Sequence, residues 1–395
     1  MNQMNQDPIV IVSAKRSAIG SFQGEFSHIA APDLCAQVIR AMLIDLNIKE
    51  VDEVLMGCVL PAGLRQAPAR QAALEAGLAN TTPCTTLNKV CGSGMYAVML
   101  AHDRLQLHHG NMILAGGFEN MTRSPYLLLK ARSGYRLGHG EIKDHMFLDG
   151  LEDAYEGLVM GAYAEKAAQE YHITRAAQDE FARASLERAQ QAQIDGAFQA
   201  EIVPVIIGTP KGEILVEADE GPLKLDVKKI PSLKPAFKKD GTVTAANSSS
   251  IADGAATLLL TRLSHARQLG LQPLAKIVAQ TNVAQDPSWF TTAPIAAIDK
   301  LLKQCQWTVD SVDLFEINEA FAVVAILAMN ALKIPHEKLN IHGGACAMGH
   351  PIGASGARIM VTLLAALRRH QLKRGVAALC IGGGEATAIA IEVLS

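Results

Sequence analysis

The chain has 395 residues, 49% of them hydrophobic and 19% charged, which is long for one compact domain and supplies a large buried core. A net charge of −3 gives no reason to expect nucleic acid or an anionic membrane as a partner. The seven cysteines include no C-x-x-C pair, which argues against a zinc ribbon or other metal site. Their odd number, with no basic, apolar leader at the start, points to reduced thiols and a cytoplasmic location.

In chain order, "PIVIVSAKRS" predicts a strand buried on both faces. Pro32 and Asp33 open a helix with apolar residues at Leu34, Val38, Met42 and Leu46, and "EVLMGCV" predicts the next strand. Cys91 then precedes Gly92-Ser93-Gly94 and a helix with apolar positions at Met95, Val98, Met99 and Leu105. A helix N-terminus favours a thiolate, and glycine neighbours let a substrate approach the backbone. Packing is the competing role, because free cysteines are commonly buried. The strand "NMILAGGFENM" follows.

Residues 121–250 carry a polar, helix-rich stretch, then "EIVPVIIGTPKGEILVEADEGP" as a small β portion, then the turn-rich "GTVTAANSSSIADG". This segment reads as an insertion. Lys224, Lys228, Lys229, Lys234, Lys238 and Lys239 crowd its second part, as a solvated run or as a charge that steers an anionic ligand.

Beyond it the order of elements repeats. "APIAAIDKLLKQCQWTVDSVDLFEIN" restates the early helix and strand, and "VAALCIGGGEAT" answers "NMILAGGFENM". The pairs Ala31/Ala293, Val51/Val312, Cys91/His350 and Gly116/Gly382 lie roughly 260 residues apart, far beyond a solenoid period. Two copies of one β/α unit follow from this, and a two-fold arrangement would bring Cys91 and His350 together as a thiol and its base. Cys380 ends a strand at three glycines. Asn318 stands at a strand end, where the ordinary role of asparagine is a helix cap.

Four blocks, "NKVCGSGM", "INEAFA", "GGACAMGHPIGASGAR" and "CIGGGEATA", resemble the signature blocks of thiolases, in particular acetyl-CoA acetyltransferases, and the resemblance runs from the first strand to the last. It implies an α/β thiolase fold, a duplicated five-layer αβαβα core with an inserted loop domain. The halves would be residues 1–121 plus 251–271 and 272–395, and the CoA-capping insert 122–250. It implies reversible condensation of two acetyl-CoA to acetoacetyl-CoA plus CoA through an acetyl-cysteine, with CoA as substrate and product and no cofactor or metal. Cys91 would be the nucleophile, His350 its activator, and Cys380 the acid/base at the α-carbon. His350 with Asn318 would form one oxyanion hole, and the N–H groups of Cys91 and Gly382 the other. Ser249, Leu151, Met160, Phe237, Phe290 and Phe321 would line the substrate site. Family members are usually tetramers or dimers. Val159 stands where acetoacetyl-CoA thiolases often carry histidine, and Phe290 where methionine is common, so chain-length preference stays open. A longer-chain 3-ketoacyl-CoA thiolase of fatty-acid degradation and a non-catalytic acyl-CoA-binding relative are the alternatives.

Overall fold

The computed structural model describes residues 7–210 and 212–394. Its main sheet runs, from one edge, Cys84–Leu87, Glu53–Gly57, Met112–Asn120, Ala252–Arg262, Ile9–Arg16, Ala275–Ala284, Glu385–Val393, Arg374–Ile381 and Leu314–Ile317. At the middle, Ile9–Arg16 and Ala275–Ala284 pair only through Val10↔Lys276 and Ile11↔Ala275, so two sheets meet at one corner.

The two sheets have one pattern. Glu53–Gly57 runs parallel to Met112–Asn120, which is antiparallel to Ala252–Arg262, itself antiparallel to Ile9–Arg16. Leu314–Ile317, Arg374–Ile381, Glu385–Val393 and Ala275–Ala284 repeat this order and these directions. Where the second half turns through Gly383 and Gly384, both at positive φ, the first half instead sends out the chain from Met121 to Ile251. That excursion carries helices Met160–Glu170 and Arg175–Ile194 and the hairpin Val205–Thr209/Gly212–Val216. Arg16 anchors it to the core. The buried guanidinium donates to Glu201 at 2.6 Å and to Asp219 at 2.6 and 2.9 Å.

Helices Ala31–Asp45 and Pro68–Glu75 cover the outer face of the first sheet. Ala293–Cys305 and Ala322–Leu332 cover the outer face of the second. Helices Ser93–Gln106 and Ser355–Arg369 fill the space between the sheets, with Met95, Val98, Ile359, Met360 and Leu363 in one cluster with strand residues from both. The layers are therefore αβαβα. Glycine lets the two central helices cross at backbone distance. A Cβ on Gly356 would stand 2.4 Å from Met95 N, and one on Gly94 would stand 2.9 Å from Ala357 N. This crossing brings the two helix N-termini together, and the candidate site forms there. Among the described residues no helix is long and apolar enough to cross a membrane.

Candidate active site

Cys91 lies two residues before its helix, in a turn tied by the Ser93 hydroxyl. That oxygen accepts from Lys89 N–H at 2.8 Å and donates to Val90 O at 2.7 Å. Val90 is held at φ +47°, an unusual conformation for a β-branched residue and a local cost of about 1–3 kcal/mol. The turn is fixed to the other half by the Lys89–Glu385 ion pair. Cys91 is partly exposed to a cavity but otherwise enclosed, and burial raises its pKa. The N–H groups of Gly382 and of Cys91 itself oppose that rise. The helix-terminus argument for a resting thiolate is thus outweighed: desolvation keeps the sulfur protonated until a base takes the proton.

His350 is five residues before the other central helix, so the repeat matches it to Cys91 only approximately. Its backbone N–H donates to Ser250 O at 3.0 Å. Its Nδ1 lies 2.5 Å from Ser355 Oγ, and that hydroxyl donates to Pro351 O at 3.0 Å. Burial, with Arg358 nearby, lowers the His350 pKa to about 3, so the ring is neutral. Asn318 does not cap a helix, because the next one starts at Ala322 with Phe321 as its N-cap. Instead the buried amide places Nδ2 3.5 Å from His350 Nε2, and its Oδ1 has no hydrogen-bond partner among the described residues.

Cys91, His350 and Gly382 line a cavity of about 540 Å³. Ser249, Leu151, Met160, Phe237, Phe290 and Phe321, named from sequence as substrate contacts, all line it too, as does Val159. Phe290 and Phe321 meet edge to face at 6.4 Å, and Phe321 meets Phe237 at 6.0 Å. Of the lysine run only Lys224 lines this cavity, beside Ser21 and Phe22; Lys234, Lys238 and Lys239 flank a shallower depression next to Phe237. Cys380 and Asn318 are buried and do not line the cavity. Cys380 is 1% exposed, packed with Tyr163, Phe290, Phe321 and Val323. Burial raises its pKa well above the usual thiol value, and the adjacent Cys91 adds to that rise. Sequence reasoning missed Ser355, although "HPIGAS" places a hydroxyl five residues after the histidine.

The family model described as "Thiolase, N-terminal domain" matches residues 9–264, and "Thiolase, C-terminal domain" matches residues 271–393. The chain is 47% identical over 388 residues to an acetyl-CoA acetyltransferase of Cupriavidus necator, covering 97% of this chain and 99% of that protein. A "Probable acetyl-CoA acyltransferase" of Staphylococcus aureus is 45% identical over 97% of this chain and 98% of its own length. The crystal structure of the Bacillus anthracis acetyl-CoA acetyltransferase superposes with a TM-score of 0.95 at 40% identity, covering 98% of this chain and 99% of that one.

Proposed function

The chain belongs to the thiolase family, and on that premise we propose that it condenses two acetyl-CoA molecules to acetoacetyl-CoA and CoA, and catalyses the reverse thiolysis. The observation that carries the reading is the meeting of Cys91, His350 and the Gly382 N–H at one apolar cavity. In the first half-reaction His350 Nε2 takes the Cys91 proton as sulfur attacks the thioester carbon. The bond to CoA sulfur breaks, and CoA leaves with the proton returned by His350. His350, together with a water held by the Asn318 Oδ1, would hold the thioester oxygen of the substrate. The N–H groups of Cys91 and Gly382 are aimed at the sulfur, where the acetyl carbonyl of the intermediate would lie. In the second half-reaction Cys380, having passed its own proton to His350, takes a methyl proton from a new acetyl-CoA as a thiolate, and the imidazolium so formed protonates the Cys91 sulfur when that leaves. The carbanion attacks the acetyl carbon, and the Cys91 sulfur departs. Protons and electrons balance with two thiols and one imidazole, so CoA is substrate and product, and neither cofactor nor metal is called for.

Ser249, Leu151, Met160 and Phe237 would hold the pantetheine arm and Lys224 would face the phosphates, while Phe290 and Phe321 bound the acyl end. A homotetramer is the proposed assembly. Tyr126, Leu129, Leu137 and Ile142 expose apolar surface on one stretch of the excursion, and Cys84–Leu87 ends the sheet as an open edge. We place the activity in the cytoplasm and in fatty-acid metabolism, with no nucleic-acid or membrane partner. The test is mass spectrometry after incubation with acetyl-CoA alone. An acetyl group on the Cys91 peptide, blocked by iodoacetamide and absent in Cys91→Ala, is expected. Full condensation activity in Cys91→Ala would refute the assignment.

A further inference from the structure

Glu119 is a buried acid that the reaction above does not use. It is the next-to-last residue of the strand Met112–Asn120, is 1% exposed, and its hydrogen-bond partners are neutral donors from both halves. Oε2 accepts from Val59 N–H at 2.9 Å and from Gly353 N–H at 3.0 Å. Oε1 accepts from Leu60 N–H at 3.2 Å and faces Cys58 Sγ at 3.6 Å. An ionised carboxylate without a cation is an expensive way to fill space, and an apolar side chain would fill it at less cost. The arrangement makes sense where those N–H groups must be held in fixed places.

Gly353 belongs to the turn that begins at His350, and Glu119 grips it three residues on. No side chain fits there: a Cβ on Gly353 would lie 2.6 Å from Glu119 Oε2 and 2.8 Å from Phe118 O. On the other side of the carboxylate, Val59 and Leu60 pack with Ile352, Met121 and Met146, and Leu151 lies against that cluster. Leu151 and Ile352 are cavity wall. One carboxylate therefore joins the turn carrying the imidazole to the loop supporting the wall, across the boundary between the halves.

We propose that Glu119 is a positioning residue, a clamp of two acceptor oxygens facing four donors, that holds the His350 turn against the Val59–Leu60 loop and so sets the imidazole relative to Cys91. The proposal rests on the thiolase reading of those two residues. The ionised form accepts from all four groups, whereas the neutral acid must turn its own O–H toward one of them. Burial raises the carboxyl to about pH 7, and the N–H groups of Val59, Leu60 and Gly353 are what counter it. An amide in its place would turn an NH₂ toward N–H groups and leave a buried donor without an acceptor.

The experiment compares full-length wild type, Glu119→Gln, Glu119→Asp and Glu201→Gln. The last disturbs a different buried acid, the partner of Arg16. Acetylation of Cys91 by acetyl-CoA is timed by quenched mass spectrometry over a range of substrate concentrations, and folded fraction is measured on the same samples. Wild type is read first; if Cys91 takes no acetyl group, the thiolase reading itself fails, before any variant is considered. Given acetylation, Glu119→Gln should be slower by about 10- to 100-fold at saturation, the scale of a misplaced catalytic group. Half-saturation should stay within roughly threefold, since uniform binding is untouched. Glu119→Asp, still a carboxylate, should recover part of the rate, and Glu201→Gln should keep the wild-type rate per folded molecule. A wild-type rate per folded molecule in Glu119→Gln overturns the proposal. If that variant does not fold, Glu119→Asp decides alone: a shortened carboxylate with an unchanged saturated rate overturns it as well, and a slowed one supports it.

Discussion

Ser355 Oγ accepts the Nδ1 proton of His350. The hydroxyl has one hydrogen; with it directed to Pro351 O at 3.0 Å, the oxygen receives at 2.5 Å from the ring, a polarity that matches the Asn318 Nδ2 donor facing Nε2. The proton is thereby fixed on Nδ1 and the lone pair on Nε2, the nitrogen facing Asn318 and the cavity. Ser355→Ala should leave the ring free to exchange tautomers and lose about 1–1.5 kcal/mol of orientation, or roughly tenfold in the rate of Cys91 acetylation. Timed acetyl transfer from acetyl-CoA measures this. An unchanged rate would mean that the neighbouring backbone alone orients the imidazole.

The repeated strand order was legible because it depends on order and residue type, whereas the cavity-lining residues were named through the family resemblance. "GSG" and "GASG" mark the close crossing of the central helices, and the matched strands repeat their hydrophobic runs. Two kinds of feature were not legible. Glu119 sits in an apolar strand, and nothing local shows that its partners come from Val59 and Gly353. The balance at Cys91 likewise depends on how fully the surroundings enclose it, which is a property of tertiary packing. A helix terminus favours the thiolate, and the opposing desolvation is larger. Asn318 looked like a cap because the sequence does not show that the helix starts four residues later.

The neutral His350 has a consequence for stability. Its folded pKa is lowered from 6.5 to about 3 by burial. Between these values the unfolded chain binds a proton that the folded ring refuses, so stability is lost as pH falls from 6.5 toward 3. At pH 4 this group alone should cost about 3 kcal/mol relative to neutral pH. Urea unfolding of wild type and His350→Asn at pH 7 and pH 4.5 should show a smaller acid loss in the variant. Equal losses would mean that His350 is not held neutral.

Phe290 is 3% exposed and braces Phe321 at the end of the cavity proposed for the acyl group. The space beyond the acyl carbon should therefore be short, and four-carbon 3-ketoacyl-CoA should be cleaved with higher kcat/KM than the eight-carbon substrate. Each excluded methylene is worth about 1–3 kcal/mol. Phe290→Leu should narrow the gap at least about tenfold while keeping an apolar wall. Comparable values for both chain lengths in wild type would instead favour the longer-chain thiolase.

The two cysteines should separate by half-reaction. Acetyl transfer to Cys91 breaks no C–H bond and uses His350 with the backbone N–H groups of Cys91 and Gly382. Condensation must remove a methyl proton, and Cys380 is the second thiol beside the same glycine turn, close enough that the charge of one opposes the charge of the other. Both thiols have raised pKa values, with Cys380 well above the usual range because it is fully enclosed. As a thiolate it would therefore be a strong base that returns readily to the neutral thiol. Cys380→Ser keeps the shape, but a hydroxyl gives up its proton far less readily. That variant should still form acetyl-Cys91, while condensation and exchange of methyl protons into deuterated water fall by about 10²- to 10⁴-fold. Mass spectrometry follows the first reaction and proton NMR the second. Near wild-type exchange in Cys380→Ser would assign the α-proton to His350, leaving one imidazole to serve both half-reactions.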